Sequence, residues 1–362
     1  MSAPPTEKTT APTPQQSPDS IRMKTLSPVL RYGLVAGSVA VAAGLLYLFG
    51  ALSVIPLVVL SAVLYITSVY VVARQVEGQR HASDRAVTGI VTTFFLLALL
   101  PLLSLVYTVL SKGMARMDPE FFNSSMRGVS GDGGGIYHAI MGTLIITAIT
   151  AAISIPVGIF AAIYLVEYGK NNRLSRALTF FVDVMTGIPS IVAGLFAVAL
   201  FTLLWGPGAR AGIIGATALC VLMIPVVVRS TEEMLRLVPN DLREASYALG
   251  VPKWLTIVKV VIPTSIAGIA TGVTLAIARV IGETAPLLVT VGTTTGVNLD
   301  PTDGRMATLP VFIYYSYAVP GLPREAFLDR AWAAALTLIL IVMALNLLAR
   351  MISKFFAPKT GR

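Results

Sequence analysis

Arg279 and Glu283 stand four residues apart in a run, Val260 to Val291, that is otherwise uncharged. That spacing places both on one face of a helix, where they can pair. A charge held within a membrane costs at least about 2.5 kcal/mol and turns toward a bundle interior or a watery cavity. Two chemistries fit. Arg279 can attract a passing anion while Glu283 moderates the attraction so that the anion leaves, with the Thr284 hydroxyl beside them. Equally, the two can be a structural pair that locks this helix to its neighbours, since burial favours paired charges whatever their purpose.

A second polar set lies in another apolar run, Ala177 to Trp205. Asp183 would repel an anion, so its expected task is to bind a backbone amide or a basic residue near the membrane edge. Gly187, Pro189 and Gly194 follow it and weaken the helix. Backbone groups freed inside a membrane are tolerated only where they are buried or line a cavity. Ser190, at that place, can donate to a passing oxyanion or bond its own helix backbone.

Other chemistry is missing. No GxxxxGK[ST] loop is present to hold nucleotide phosphates; the one Gly-Lys pair, Gly169-Lys170, continues into Asn171. "GDGGG" at 131–135 and "GPGARAG" at 206–212 do not fit GxGxxG and read as flexible turns. The single cysteine, Cys220, excludes an internal disulfide and a Cys-based metal site, and His81 and His138 are far apart in the chain. No cofactor and no enzymatic activity are expected. Uphill movement of a solute must then draw on a partner or on an ion gradient.

The elements that position these groups are membrane helices. Of 362 residues, 55% are hydrophobic and 12% charged, and mean hydropathy is +0.79. A span needs about 20 mostly apolar residues. Tyr32 to Ala73 holds two, with a hairpin near Gly50 to Pro56; Val87 to Leu110 is a third. Ile136 to Val166 is a fourth, with room for a kink at Pro156, and Ala177 to Trp205 a fifth. Ala211 to Val228, Val260 to Val291 and Ala331 to Ala349 complete eight. The fold class is an all-α polytopic membrane bundle of about eight transmembrane helices.

Basic residues cluster after the second, fourth, sixth and eighth spans, which assigns those loops and both termini to the cytoplasm. The net charge of +9 follows from orientation and is no sign of nucleic acid. Residues 1–31 read as a disordered cytoplasmic tail, not as a signal peptide. Residues 32–86 form an N-terminal hairpin, where Gly33 and Gly37 make a GxxxG packing face. Residues 87–355 are a core, and residues 356–362 a cytoplasmic tail.

One charged segment, "REASYALGVPKWLTIVKVVIP" at 243–263, interrupts the apolar chain. Asp241 and Glu244 have the spacing of a capping box, and Leu242, Ala245 and Leu249 share a helical face. Gly250 is placed to end that helix and Pro252 to begin another that runs to Pro263. A helix this short is marginal alone in water and needs something to pack against. A soluble partner supplies that; an ordinary capped cytoplasmic loop would show the same residues.

The segment resembles the EAA loop of ABC importer permeases: Glu244-Ala245-Ser246, three residues, Gly250, nine residues, then Val260-Val261-Ile262-Pro263. Ser246, Val260 and Ile262 replace Ala, Ile and Leu of that pattern. "DVMTGIPSIVAGLF" at 183–196, "ARVIGETAPLL" at 278–288 and "MATLPVFIYYSYAVP" at 306–320 are similar to PstA-type phosphate permeases. The resemblance covers roughly residues 87–355 and implies a six-helix type I importer core, with the first two spans as an addition. It implies a bacterial plasma-membrane subunit of an inorganic phosphate importer working by alternating access. The partners it implies are a PstC-type permease, a PstB-type ATPase dimer docked on the 241–263 segment, and a PstS-type phosphate-binding protein. Gly292 to Asp329 is the longest exposed outer segment and the expected docking surface for the last. On the residues alone, a permease for molybdate or sulfate stands beside this reading. So does a secondary transporter or channel, for which the core offers only Asp183 and Glu283 as ion-site carboxylates.

Overall fold

The computed structural model describes residues 26–169 and 172–356, and among these it is helical without strands. In chain order the helices are α1 (Pro28–Leu48), α2 (Val54–Val76), α3 (Gln79–Gly113), α4 (Pro119–Asn123) and α5 (Tyr137–Ile163). There follow α6 (Arg173–Thr186), α7 (Ser190–Trp205), α8 (Gly212–Arg236), α9 (Asn240–Ala248), α10 (Lys253–Thr256), α11 (Ile262–Ile281), α12 (Ala285–Thr290), α13 (Leu309–Ala318) and α14 (Arg324–Phe356). Seven helices or fused helices are long and apolar enough to cross a membrane, and the bent pair α6 and α7 makes up to eight. The protein is multi-pass. Most of the expected tails lies outside the described residues.

The chain forms two compact units, residues 1–106 and 107–362, with the boundary inside α3. In the first, α1 and α2 make the expected hairpin. Among the described residues the expected GxxxG contact is absent: a Cβ on Gly33 or Gly37 would meet nothing within 4 Å. Close approach occurs instead at Gly89 of α3, where a Cβ would stand 3.1 Å from the Ile66 side chain of α2. At the turn between α2 and α3, the Glu77 carboxylate accepts two bonds from the Arg85 guanidinium, at 2.5 and 2.7 Å, and one from the Leu26 amide at 2.5 Å. The Arg85 bond holds the Glu77 carboxyl below its usual range.

In the second unit α8 is the central column, with most of its side chains buried between α5, α7 and α11. Small residues on the neighbours allow the approach: a Cβ on Gly158 of α5 would collide with Val227 of α8. The segment leading into α13 is as tightly held. The Leu309 amide donates to Thr143 Oγ1 of α5 at 2.8 Å, and a Cβ on Gly142 would lie 2.0 Å from the Ala307 carbonyl oxygen. Gly142→Ala should therefore cost about 2–3 kcal/mol of stability by overpacking. Thermal unfolding of the purified protein checks this, and an unchanged midpoint would contradict the close approach.

Two expectations are corrected here. Gly292 to Asp329 is not one exposed loop, because Met306 to Leu309 are fully buried, Phe312 packs with Phe121 and Ala333, and Leu309–Ala318 is helical; exposed residues lie on both sides of this buried stretch, up to Arg305 and again from Tyr314. "GDGGG" is a built turn. Gly131 and Gly133 are left-handed, and the buried Arg330 Nη1 donates to both their carbonyls at 2.7 and 2.8 Å. Pro156 lies inside α5, and a π turn follows at Tyr164–Tyr168.

Candidate functional site

The segment that interrupts the apolar chain forms α9, a joint and a long helix. The joint is a Schellman motif at Gly250, which has φ +76°. The Gly250 amide donates to the Tyr247 carbonyl at 2.9 Å and the Val251 amide to that of Ser246 at 3.2 Å. Ser246, the only buried residue of α9, bonds Thr256 Oγ1 across the joint at 2.8 Å. The expected capping box does not form. Pro239 occupies the N-cap and places Asp241 in the first turn, where its charge faces the positive end of the helix dipole. Pro263 does not end the second helix either. A π turn at Ile257–Val261 precedes it, and the helix continues unbroken from Lys253 to Ile281. A proline at the start of a helical stretch gives up a donor that the shifted bonding does not need.

What anchors α9 is Arg243. Its guanidinium donates twice to Glu167 Oε1, at 2.8 and 3.0 Å, and also to the carbonyls of Leu235 and Val238 at 3.0 and 2.6 Å. The two side chains are 12% and 5% exposed. Glu167 lies in the π turn that ends α5, so one ion pair ties α9 to that helix and to the end of α8. Lys253 adds a bond to the Glu167 carbonyl and stands 4.7 Å over the Tyr168 ring. With this anchor in place, Asp241, Glu244 and Ala245 remain exposed, as do the apolar Leu242, Tyr247, Leu249 and Trp254. The face expected to pack is therefore left largely uncovered by the described residues.

The second group of residues sits at two helix breaks. The α6 and α7 axes differ by 110° across Gly187 to Pro189, so the expected fifth span is a broken pair. Of this pair α7 has 16 residues, about 24 Å at 1.5 Å per residue, short of a hydrocarbon core of about 30 Å. Asp183 meets the basic residue expected of it, pairing with Arg229, which also holds Glu232 at 2.9 Å; Glu232 in turn binds Arg236 at 2.6 Å. Ser190 is half-buried at the first turn of α7, with no hydrogen-bond partner among the described residues.

The other break, Gly282 to Thr284, separates α11 from α12. Arg279 and Glu283 do not pair. The helix stops at Ile281, which removes Glu283 from the Arg279 face; its amide donates to the Val280 carbonyl at 3.1 Å. Arg279 is exposed on α11, with no hydrogen bond or ion pair among the described residues. Thr284 Oγ1 makes one long bond, 3.5 Å, to the Gly282 carbonyl. The two breaks border one core: Ile188, Val280 and Leu287 belong to the same apolar cluster. There α7 crosses α12 so closely that a Cβ on Gly194 would be 2.8 Å from Pro286 Cα. Ser190 thus follows one break and Glu283 and Thr284 lie in the other, with Arg279 just before it, while Asp183 is committed to a charge network with α8.

This arrangement has relatives. The family described as the inner membrane component of binding-protein-dependent transport systems matches residues 154–362. A phosphate transport system permease protein PstA 1 from Mycobacterium tuberculosis is 47% identical over 295 residues, 81% of this chain and 94% of that protein. The phosphate transport system permease protein PstA of Pasteurella multocida is 40% identical over 256 residues, 71% of this chain and 88% of that one. The chain belongs to the PstA permease family. A chain from the crystal structure of a bacterial alginate ABC transporter, in complex with an alginate pentasaccharide-bound periplasmic protein, shares the fold. Its TM-score is 0.55 at 15% identity, over 77% of this chain and 97% of that chain.

Two residues of this permease escaped the reading of its sequence. Glu167 closes the fourth apolar run and Arg243 counts as one more basic loop residue; 76 residues separate them, and nothing local marks them as partners. The one available signal is that Glu167 directly follows a long apolar run, where an acid needs a partner.

Proposed function

We propose that this permease is the transmembrane subunit of an ATP-driven inorganic phosphate importer, forming the translocation path with a homologous PstC-type permease. The observation that carries the reading is α9: a short helix rigidly anchored through Arg243 to α5 while its apolar residues face solvent. Exposed apolar groups on a held element mark a binding surface. A PstB-type ATPase dimer docking there would pull on α5, α8 and the helix entering at Lys253 together. ATP is hydrolysed in that subunit and not in this chain.

Phosphate is favoured by the names of the relatives and by Arg279, a cation on a membrane helix with no acidic partner among the described residues. Asp241, Glu244, Ala245, Ser246, Gly250 and Pro263 make up the coupling element. Arg279, Glu283, Thr284 and Ser190 serve the path, and Asp183 acts through Arg229. The ends rich in basic residues face the cytoplasm, and a PstS-type phosphate-binding protein delivers phosphate at the opposite face. Alternating access follows as the ATPase closes and resets.

Reconstitution of the purified complex in proteoliposomes tests this. Labelled phosphate should enter only when ATP and the binding protein are both supplied. Uptake driven by an ion gradient alone, or preferential uptake of sulfate or molybdate, overturns the proposal.

A further inference from the structure

We propose that the N-terminal unit holds one membrane phospholipid in the cleft between α1, α2 and α3, with its phosphate diester on Arg31 and an acyl chain along the apolar walls. The cleft, about 670 Å³, lies wholly within residues 31–96. It is amphiphilic along its length. Arg31, His81, Asp84 and Arg85 line one end, and Val35, Val39, Val58 and Leu96 line the rest. From His81 to Leu96, α3 rises about 22 Å, a large part of a hydrocarbon core of about 30 Å. The slot therefore runs from a membrane surface into the acyl region.

The charges select the headgroup chemistry. Arg85 is already engaged by Glu77, which also takes the Leu26 amide. The Arg31 guanidinium has no hydrogen bond among the described residues, although its Nε is buried. A planar guanidinium without an acid matches a phosphate oxygen pair. Its neighbours at that end belong to the first two turns of α3, where the helix dipole also favours an anion. Asp84 is exposed at the same end, placed to accept from a headgroup amine or hydroxyl. A protein helix seated in the slot would need its own acid to reach Arg31, whereas a phospholipid brings the phosphate and the apolar chain on one molecule.

Ser61 offers a clean probe of the apolar part. It is 9% exposed, lines the cleft, and its hydroxyl has no partner among the described residues, so Ser61→Phe fills the slot without breaking a hydrogen bond seen there. Native mass spectrometry of the complex released from nanodiscs of phosphatidylglycerol, phosphatidylethanolamine or phosphatidylcholine would count lipids retained per complex. Expected is one phospholipid more for the parent than for Arg31→Gln or Ser61→Phe, Arg31→Gln lowering its occupancy about tenfold, the worth of a charge-assisted hydrogen bond, and Ser61→Phe lowering it by filling the space of the acyl chain. The three nanodisc arms report which headgroup the site prefers. Equal retention in parent and both variants means unspecific surrounding lipid and overturns the proposal. So does loss in Ser61→Phe alone, which means an apolar slot indifferent to phosphate, or a cross-link that places a protein helix in the cleft.

Discussion

Arg243→Met should leave a complex that hydrolyses ATP but moves little phosphate, the ratio of phosphate taken up to ATP consumed falling at least tenfold. Removing one partner of a buried ion pair costs about 3–5 kcal/mol, because the other charge stays buried alone. Here Glu167 would be stranded in the π turn of α5, and the carbonyls of Leu235 and Val238 would lose their donor as well. α9 has 9 residues, too few to persist without tertiary support, and without Arg243 its remaining side-chain hydrogen bond beyond the helix, among the described residues, is Ser246 on Thr256. The helix would still meet an ATPase through Leu242 and Leu249 while no longer being fixed to α5. Glu167→Gln, which keeps a neutral acceptor, should show a smaller loss. Replacing both residues by Met should recover part of the coupling, since the stranded charge is gone. Normal coupling in Arg243→Met, with assembly intact, would show that force reaches the bundle by another route.

How much of this was legible in the sequence follows from the range of each interaction. Spans depend on local composition, and the apolar runs located every long helix. The joint at Gly250 is equally local and was read correctly. Boundaries set by a single competing residue were not: Pro239 displaced the capping box that Asp241 and Glu244 spell out, and the π turn before Pro263 carried the helix past it. Packing glycines require knowledge of the neighbour. Gly33 and Gly37 have the familiar spacing and face open space, whereas the close contacts fall at Gly89, Gly142 and Gly194, whose partners are distant in the chain or on another helix. The pair at Arg279 and Glu283 failed for the same kind of reason. Their spacing implies one face only if the helix continues, and Gly282 ends it.

That failure sharpens what Arg279 should do. An arginine paired with Glu283 would be neutralised and its loss would be felt mainly in stability; an arginine exposed on α11 with no acidic partner among the described residues needs a counter-charge from elsewhere. Two sources are open to it, an acid on the companion permease or the transported anion. If phosphate is the counter-charge, Arg279→Ala removes a hydrogen bond to a charged group, worth about 1.5–3 kcal/mol. Uptake at limiting phosphate should then fall about 10- to 100-fold, with the complex assembled and ATPase activity still stimulated by the binding protein. Arg279→Lys keeps the charge without the planar fork and should lose less. Glu283→Gln should act in the opposite direction on affinity, lowering the half-saturating phosphate concentration while slowing turnover, because the group that loosens the anion is gone. Should Arg279→Ala instead prevent the two permeases from copurifying, the arginine belongs to the interface between them and the path must be sought elsewhere around the break.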